Sequence, residues 1–369
     1  MKFKPIVLVG EARGEHEDKY KSCFVGPSGA MLLRMLNKAE VIRLSAFDKE
    51  FLSRWYTAKD PKALESIWSL HPEVYRTNVF QIHPPKNDLD FFTGPKAQAL
   101  AGFPALTKKY VRQEFITELE RLRDEIILRD PNIIICLGNT AIWALAGRTG
   151  ITKLRGTTLL STHTVEGFKL LPTLHPASLM YQGQYNNHPT VIADLQKAHR
   201  ESEFPEIRRL AREIWIEPTL ADIQFFHDAH IHGCSLLSVD IETSGSRITC
   251  IGFSPSARIA IVIPFDDERR PNRSYWPTEA SERECWAIVR HILGDPSIPK
   301  LFQNGLYDIS FLYRAYGIKT FGAEHDTMLL QHALQPESLK GLGYLGSLYT
   351  DEFAWKNMRK RVKTIKRDN

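Results

Sequence analysis

The 369-residue chain has little cysteine: Cys23, Cys136, Cys234, Cys250 and Cys285, with no C-x-x-C pair among them. That count and scatter exclude a disulfide scaffold and point to reduced thiols inside a cell. No apolar run approaches the roughly 20 residues of a membrane span. The opening Met1-Lys-Phe-Lys-Pro-Ile-Val-Leu-Val runs directly into a strand pattern, so no signal peptide is expected and the location is expected to be cytoplasmic. Internal repeats and low-complexity segments are also lacking. Neither charge sign dominates: 48 Lys and Arg against 43 Asp and Glu give a net charge of +5. So mild a basic balance permits a nucleic-acid partner without requiring one.

What is present is an alternation of strands and helices over a length that fits two domains. Ile6 to Val9, Tyr75 to Gln81 and Asn132 to Gly138 read as strands, with further strands near Thr157–Leu160 and Phe168–Pro172. Helical patterns cover Ala30–Leu36, Leu106–Leu128, Thr140–Ala146 and about Thr190–Arg200, and another helix is expected after His175-Pro176. The alternation predicts an α/β domain with a mostly parallel central sheet over residues 1–200. Residues 201–217 are charged, with Pro205 and Pro218 near the two ends, and read as a linker. From 218 to 369 a second domain is expected. It opens with a helix near Leu220–Ala229. Closely spaced strands at 235–241, 247–253 and 258–264 suggest an antiparallel meander. A helix at 279–293, a strand at 299–303 and helices starting near Leu306, Asp326 and Leu339 complete it. The basic stretch Trp355 to Arg367 is read as a solvated end or a phosphate-backbone contact.

Leu237-Ser-Val-Asp240-Ile-Glu242 carries two acids one residue apart on a strand, which places both carboxylates on one face. Two such charges repel unless a cation lies between them, and hard divalent cations take carboxylate oxygens. A solvated strand end is the alternative. Phe302-Gln-Asn304-Gly-Leu-Tyr307-Asp308 follows, with Asp308 at the start of a helix. A third carboxylate there suits a two-metal site for phosphodiester hydrolysis. In the first domain, Gly10-Glu-Ala-Arg-Gly14 after a strand is a turn whose amides can converge on an anion or a carbonyl.

Four stretches occur in the order found in one known family. Gly10-Glu-Ala-Arg-Gly-Glu-His-Glu-Asp-Lys-Tyr-Lys-Ser-Cys-Phe-Val-Gly-Pro-Ser-Gly29 resembles the first motif of the uracil-DNA glycosylase superfamily, in its iron–sulfur branch called family 4. Arg76-Thr-Asn78 through Asn87 is similar to the uracil-reading strand and loop. Ile151-Thr-Lys-Leu-Arg-Gly156 resembles the internal loop, and Leu171-Pro-Thr-Leu-His175-Pro-Ala177 the active-site histidine motif. The resemblance implies that Phe24 stacks on a flipped base and that the amide of Asn78 reads a pyrimidine edge. It implies that His175 stabilises the departing uracil anion. Gly10 and Ala12 then line the uracil site, Glu11 is a candidate for orienting water, and Lys153, Arg155 and Ser178 are expected at DNA. Taken singly, Phe24 also reads as a core aromatic, Asn78 as a turn former and His175 as a loop histidine. The sequence departs from family 4 in lacking its cluster cysteines, so no iron–sulfur cluster is expected. Arg13 stands where proline is usual.

The second domain is similar to the DEDD 3′–5′ exonucleases, above all the proofreading domains of phage family A DNA polymerases. D-x-E and N-x-x-[FY]-D match the first two motifs, and Glu324-His-Asp326 through Gly343 matches a later stretch. The resemblance implies a ribonuclease-H-like fold, Asp240, Glu242 and Asp308 as ligands of Mg2+ or Mn2+, and Asn304 and Tyr307 near the terminal nucleotide. Core packing is the alternative for Tyr307. Asp326 reads as a helix N-cap. The third motif, Y-x-x-x-D or H-x-x-x-D, is not found: Asp351 and Asp368 lack the required residue four positions earlier. This domain is therefore expected to be incomplete, either completed by another polypeptide or weak as a nuclease. The joint expectation is a DNA-repair and replication protein of a bacterial or phage-infected cell, binding single-stranded or uracil-containing DNA and 3′ ends. In the rival reading it is a non-catalytic accessory subunit of a separate DNA polymerase polypeptide.

Overall fold

The structure is a computed structural model that describes residues 5–54, 60–181 and 184–352. The basic stretch from Trp355 lies outside the described residues. Contacts divide the chain into two compact units: Met1–Arg208 together with the segment from Gly343, and Arg209–Leu342.

The first unit is built on strands β1 (Ile6–Ala12), β2 (Val74–Phe80), β3 (Ile134–Leu137), β4 (Leu159–Thr162) and β5 (Glu166–Thr173), in the order β2-β1-β3-β5-β4. All neighbours are parallel except β4 and β5. The alternation along β1 explains the three layers. Ile6 and Leu8 enter one core with the helix Pro27–Lys38 and part of His188–Glu201. Val7 and Val9 enter the other, with the helices Ile116–Arg129 and Asn139–Ala146. A strand buried on both faces is a continuous apolar run, and that is how it appears in the sequence.

Two helical expectations are narrowed. The pattern at Leu106–Leu128 forms a helix only from Ile116 to Arg129. Before it, Tyr110–Val111 pairs with Thr93–Gly94, and the Arg112 N–H donates to the Phe92 carbonyl at 3.0 Å, so tertiary pairing claims those residues. After His175 there is a five-residue 3-10 helix, Pro176–Met180.

The second unit has β6 (Glu213–Ile216), β7 (Leu237–Ser244), β8 (Arg247–Ser256), β9 (Ile259–Pro264), β10 (Lys300–Phe302) and β11 (Ala323–Asp326), in the order β11-β10-β7-β8-β9-β6. β7, β8 and β9 form the antiparallel meander, and β10 and β11 add in parallel beside β7. This is the ribonuclease-H-like arrangement. The stretch 201–217, read as a linker, ends in a strand: β6 pairs with β9 in parallel and edges the second sheet.

The helix Leu342–Tyr349 also differs from its expected place in the second domain. Its residues from Gly343 pack within the first unit, where Tyr344 Oη and Thr190 Oγ1 share a 2.7 Å hydrogen bond and Leu345 is buried.

Candidate active sites

Three of the four glycosylase-like motifs, those of Gly10–Gly29, Arg76–Asn87 and Leu171–Ala177, meet at the carboxyl end of the first sheet, where open α/β sheets commonly hold their ligands. A cavity of about 410 Å³ is lined there by Glu11, Ala12, Arg13, Glu17, Phe24, Asn78, Asn87, His175 and Tyr181, among others. Register explains part of the convergence. Gly10 on β1 lies beside Asn78 on β2. A Cβ on Gly10 would stand 2.6 Å from Phe24 Cζ and closer still to Asn78 Oδ1. Only glycine lets the amide and the ring approach across that strand.

Phe24 is 1% exposed and adopts φ 58°, a left-handed conformation that costs a bulky residue about 1–3 kcal/mol. Its N–H donates to Glu17 Oε1, and its carbonyl accepts from Trp68 Nε1 at 3.0 Å. Those bonds hold the ring 6.5 Å, centroid to centroid, from His175. Asn78, also 1% exposed, donates from Nδ2 to Glu17 Oε2 at 3.3 Å. Glu17 itself is 7% exposed and also accepts from the Gly14 N–H at 3.0 Å. Burial pushes the Glu17 carboxyl up, while the donors from Gly14, Phe24 and Asn78 pull it back. Glu17 carries one signal in the sequence, its place in the first turn after Gly14, inside the motif.

His175 caps the 3-10 helix that follows it, its Nδ1 accepting the Ala177 N–H at 3.2 Å. An accepting Nδ1 carries no proton, so the neutral ring has its hydrogen on Nε2. Burial lowers the His175 pKa, with the Glu11 charge opposing, and this favours the neutral ring. Glu11 accepts from Thr140 Oγ1 at 2.7 Å. Ser178 turns its hydroxyl to the His175 carbonyl at 2.7 Å, and Lys153 is exposed.

Arg155 corrects the expectation of a DNA contact. It is 3% exposed, and its guanidinium grips the Asp194 carboxylate through Nε, at 2.9 Å, and Nη2. Nη1 donates to Ser347. One donor from each of its three nitrogens is thus committed inside the fold.

In the second unit, Val239 and Ile241 face the core while Asp240 and Glu242 take the other side of β7. β10 pairs with β7 only at Leu237 and Ser238. The Ile241 N–H, beyond that pairing, donates to Asp308 Oδ1 at 3.1 Å. Asp308 is thereby drawn to the strand that carries the acid pair. It is 5% exposed, and burial, with a further push from the Asp240 charge, raises its pKa to about 6 despite the Ile241 bond. Asn304 precedes the helix Gly305–Tyr316 at φ 63°, and Tyr307 Oη meets Thr243 Oγ1 at 2.6 Å. Asp326 is an N-cap, as its sequence context suggests. It accepts from Met328 N–H at 2.8 Å and also from the Asn304 and Gly305 N–H groups, joining two helix starts.

Carboxylate oxygens suit a hard divalent cation. Among the described residues, however, no three side chains of His, Cys, Asp or Glu are gathered closely enough to hold a metal ion. No helix of the described residues is long and apolar enough to cross a membrane.

Two family models match the chain. Residues 227–364 match the family model described as 3′-5′ exonuclease. The chain is 26% identical over 162 residues to the DNA polymerase of Bacillus phage SP01, covering 42% of this chain and 15% of that protein. Solved structures with likeness to this chain include RNase D of Trypanosoma brucei in complex with GMP. That match has 15% identity and a TM-score of 0.32, over 40% of this chain and 44% of that one. The chain is 27% identical over 195 residues to the type-4 uracil-DNA glycosylase of Thermotoga maritima, covering 52% of this chain and 75% of the relative. It is 29% identical to the type-4 enzyme of Saccharolobus solfataricus, over 48% of this chain and 62% of that protein. The model of the uracil DNA glycosylase superfamily matches residues 3–197, more than half of the sequence, and the chain belongs to that superfamily.

Proposed function

We propose that the first unit hydrolyses the N-glycosidic bond between uracil and deoxyribose in DNA. The carrying observation is the convergence of Phe24, Asn78, His175 and Glu11 on one cavity. An extruded base stacks on the Phe24 ring. Asn78 Oδ1 accepts the uracil N3–H, and the second hydrogen of Nδ2 is donated to a ring carbonyl. As the bond from C1′ to N1 breaks, its electron pair passes into the uracil ring. His175 Nε2–H donates to the carbonyl oxygen where the charge collects, as a neutral imidazole can. Glu11, held by Thr140, orients a water for attack at C1′ and takes its proton. Lys153, exposed within the internal-loop motif, is the basic side chain assigned to the DNA backbone.

For the second unit we propose 3′–5′ exonuclease-type hydrolysis, with Mg2+ or Mn2+ as the cation to be tested. The family match over 227–364 and the docking of Asp308 on the strand of Asp240 and Glu242 support it. Asn304 and Tyr307 are assigned to the terminal nucleotide. A DNA polymerase is the proposed partner, on the likeness to a phage polymerase.

A uracil-containing oligonucleotide, incubated with the protein and then treated with alkali, breaks at the uracil if the first proposal holds. Wild type that gives no more cleavage than Asn78→Ala disproves it. A 5′-labelled strand with Mg2+ or Mn2+ shortens from its 3′ end, and Asp240→Ala stops the shortening. No shortening at high protein concentration removes the nuclease and favours the accessory-subunit reading.

A further inference from the structure

Glu17 makes more of the pocket than any residue the motif chemistry pointed to. One carboxylate accepts the Gly14 N–H, the Phe24 N–H and the Asn78 Nδ2–H. The first of these fixes the turn after β1, the second holds the left-handed backbone under the stacking ring, and the third holds the reading amide. Asn78 has two possible orientations, which differ by a half-turn of the amide and exchange an acceptor for a donor. A carboxylate only accepts. It therefore admits the orientation with Nδ2 toward Glu17 and Oδ1 away from it, on the side of Gly10, where a Cβ would collide with that oxygen.

We infer that Glu17 is the positioning residue that sets base specificity, by locking the Asn78 amide in the orientation that accepts from uracil. This rests on the glycosylase reading above. Uracil presents N3–H, a donor, which Oδ1 accepts. Cytosine presents N3 as a bare acceptor and an exocyclic amino group. Against the locked amide, cytosine sets acceptor against acceptor, and a buried site with mismatched hydrogen-bonding groups rejects the wrong base strongly. The flipped amide would invert the preference. Glu17 touches no substrate in this scheme; it acts through Asn78.

The test is Glu17→Gln, which keeps shape and length. Its amide can keep an oxygen toward Phe24 only by turning an NH2 group toward Asn78 and Gly14, and that NH2 group can donate to a flipped Asn78. The measurement is equilibrium binding of free uracil and of free cytosine, beside excision from a uracil oligonucleotide, with side-chain amide NMR of Asn78 and a melting curve on each protein. Wild type is expected to bind uracil well above cytosine and to show a slowly exchanging Asn78 NH2 pair. Glu17→Gln is expected to narrow the uracil-to-cytosine ratio at least about tenfold, with faster exchange of that pair. A variant that loses both bases in parallel, or keeps the wild-type ratio, overturns the role assigned to Glu17 and leaves the glycosylase reading standing. Wild type that excises no uracil and binds neither base overturns the glycosylase reading, and this role with it. Should Glu17→Gln fail to fold, Asn78→Asp serves as the second variant. It sets a carboxylate against Glu17, and a uracil-to-cytosine ratio left at the wild-type value there overturns the lock.

Discussion

Arg155 Nη1 donates a 2.7 Å hydrogen bond to Ser347 Oγ, 192 positions further along the chain. The same guanidinium holds Asp194, and Asp194 accepts from Thr173 Oγ1 at 2.6 Å, two residues before His175. A buried acid is thus neutralised by one fork and tied to the strand that leads to His175. Arg155→Ala strands the Asp194 charge, and the expected loss is on the order of 3–5 kcal/mol, read as a fall in the melting temperature of the first unit. Arg155→Lys keeps the charge but not the bidentate geometry and should fall between the two. Ser347→Ala should cost about 1 kcal/mol. An Arg155→Ala protein with unchanged melting and weaker DNA binding would restore the phosphate-contact assignment.

Gly10→Ala is expected to abolish excision with little loss of secondary structure. The added methyl meets Phe24 Cζ at 2.6 Å and crowds Asn78 Oδ1, so the ring and the amide must separate. Circular dichroism with the alkali-cleavage assay checks this. Activity within twofold of wild type would mean that the two side chains do not act as a pair.

The lowered pKa of His175 predicts a flat acid limb in the pH profile. The proposed donor is the neutral ring, and burial keeps it neutral below the ordinary histidine range. Excision should therefore persist as pH falls through 6.5, the unperturbed value, and decline only further down. His175→Ala should lower kcat by roughly 100-fold or more. A wild-type rate that titrates with an ordinary histidine pKa would contradict the burial argument.

Asp308 sets function against stability. Its pKa is raised to about 6 in the fold, while an unfolded aspartate lies near 3.8. The folded state then binds the proton more tightly than the unfolded state. Stability is greatest below the unfolded value, falls as pH rises from about 4 to about 6, and stays reduced above that. Asp308→Asn removes the ionisation and can still accept from the Ile241 N–H. It should stabilise the second unit at pH 7 by about 2–3 kcal/mol at most, with little effect at pH 4, and should abolish exonuclease activity. Melting curves at the two pH values decide it; equal shifts at both would exclude the ionisation as the cause.

Much of this protein is legible without coordinates. The unbroken apolar runs of β1 and β3 announce strands covered on both faces, because only such strands dispense with alternation. The alternation of Leu237, Val239 and Ile241 with Asp240 and Glu242 announces the one-sided face of β7, because side-chain period is a local property of the backbone. Order and spacing of the motifs give the family for the same reason.

Other features follow from distance in the folded chain. A charged residue in a loop motif reads alike whether it meets a phosphate or a buried carboxylate, so only the fold shows Arg155 beside Asp194 and Ser347. Leu106–Phe115 carries a helical pattern, yet pairing with Thr93–Gly94 takes part of that stretch. Glu213–Ile216 becomes a strand because β9 offers it an edge. The sequence alone determined the chemistry available at each position, the strand and helix periods and the superfamily. Tertiary structure decided which donors converge on Glu17, how the Asn78 amide is turned against it, and how Asp308 is drawn to the strand of Asp240 and Glu242. Those outcomes depend on contacts between residues far apart in sequence, where burial multiplies the cost of every unmatched polar group.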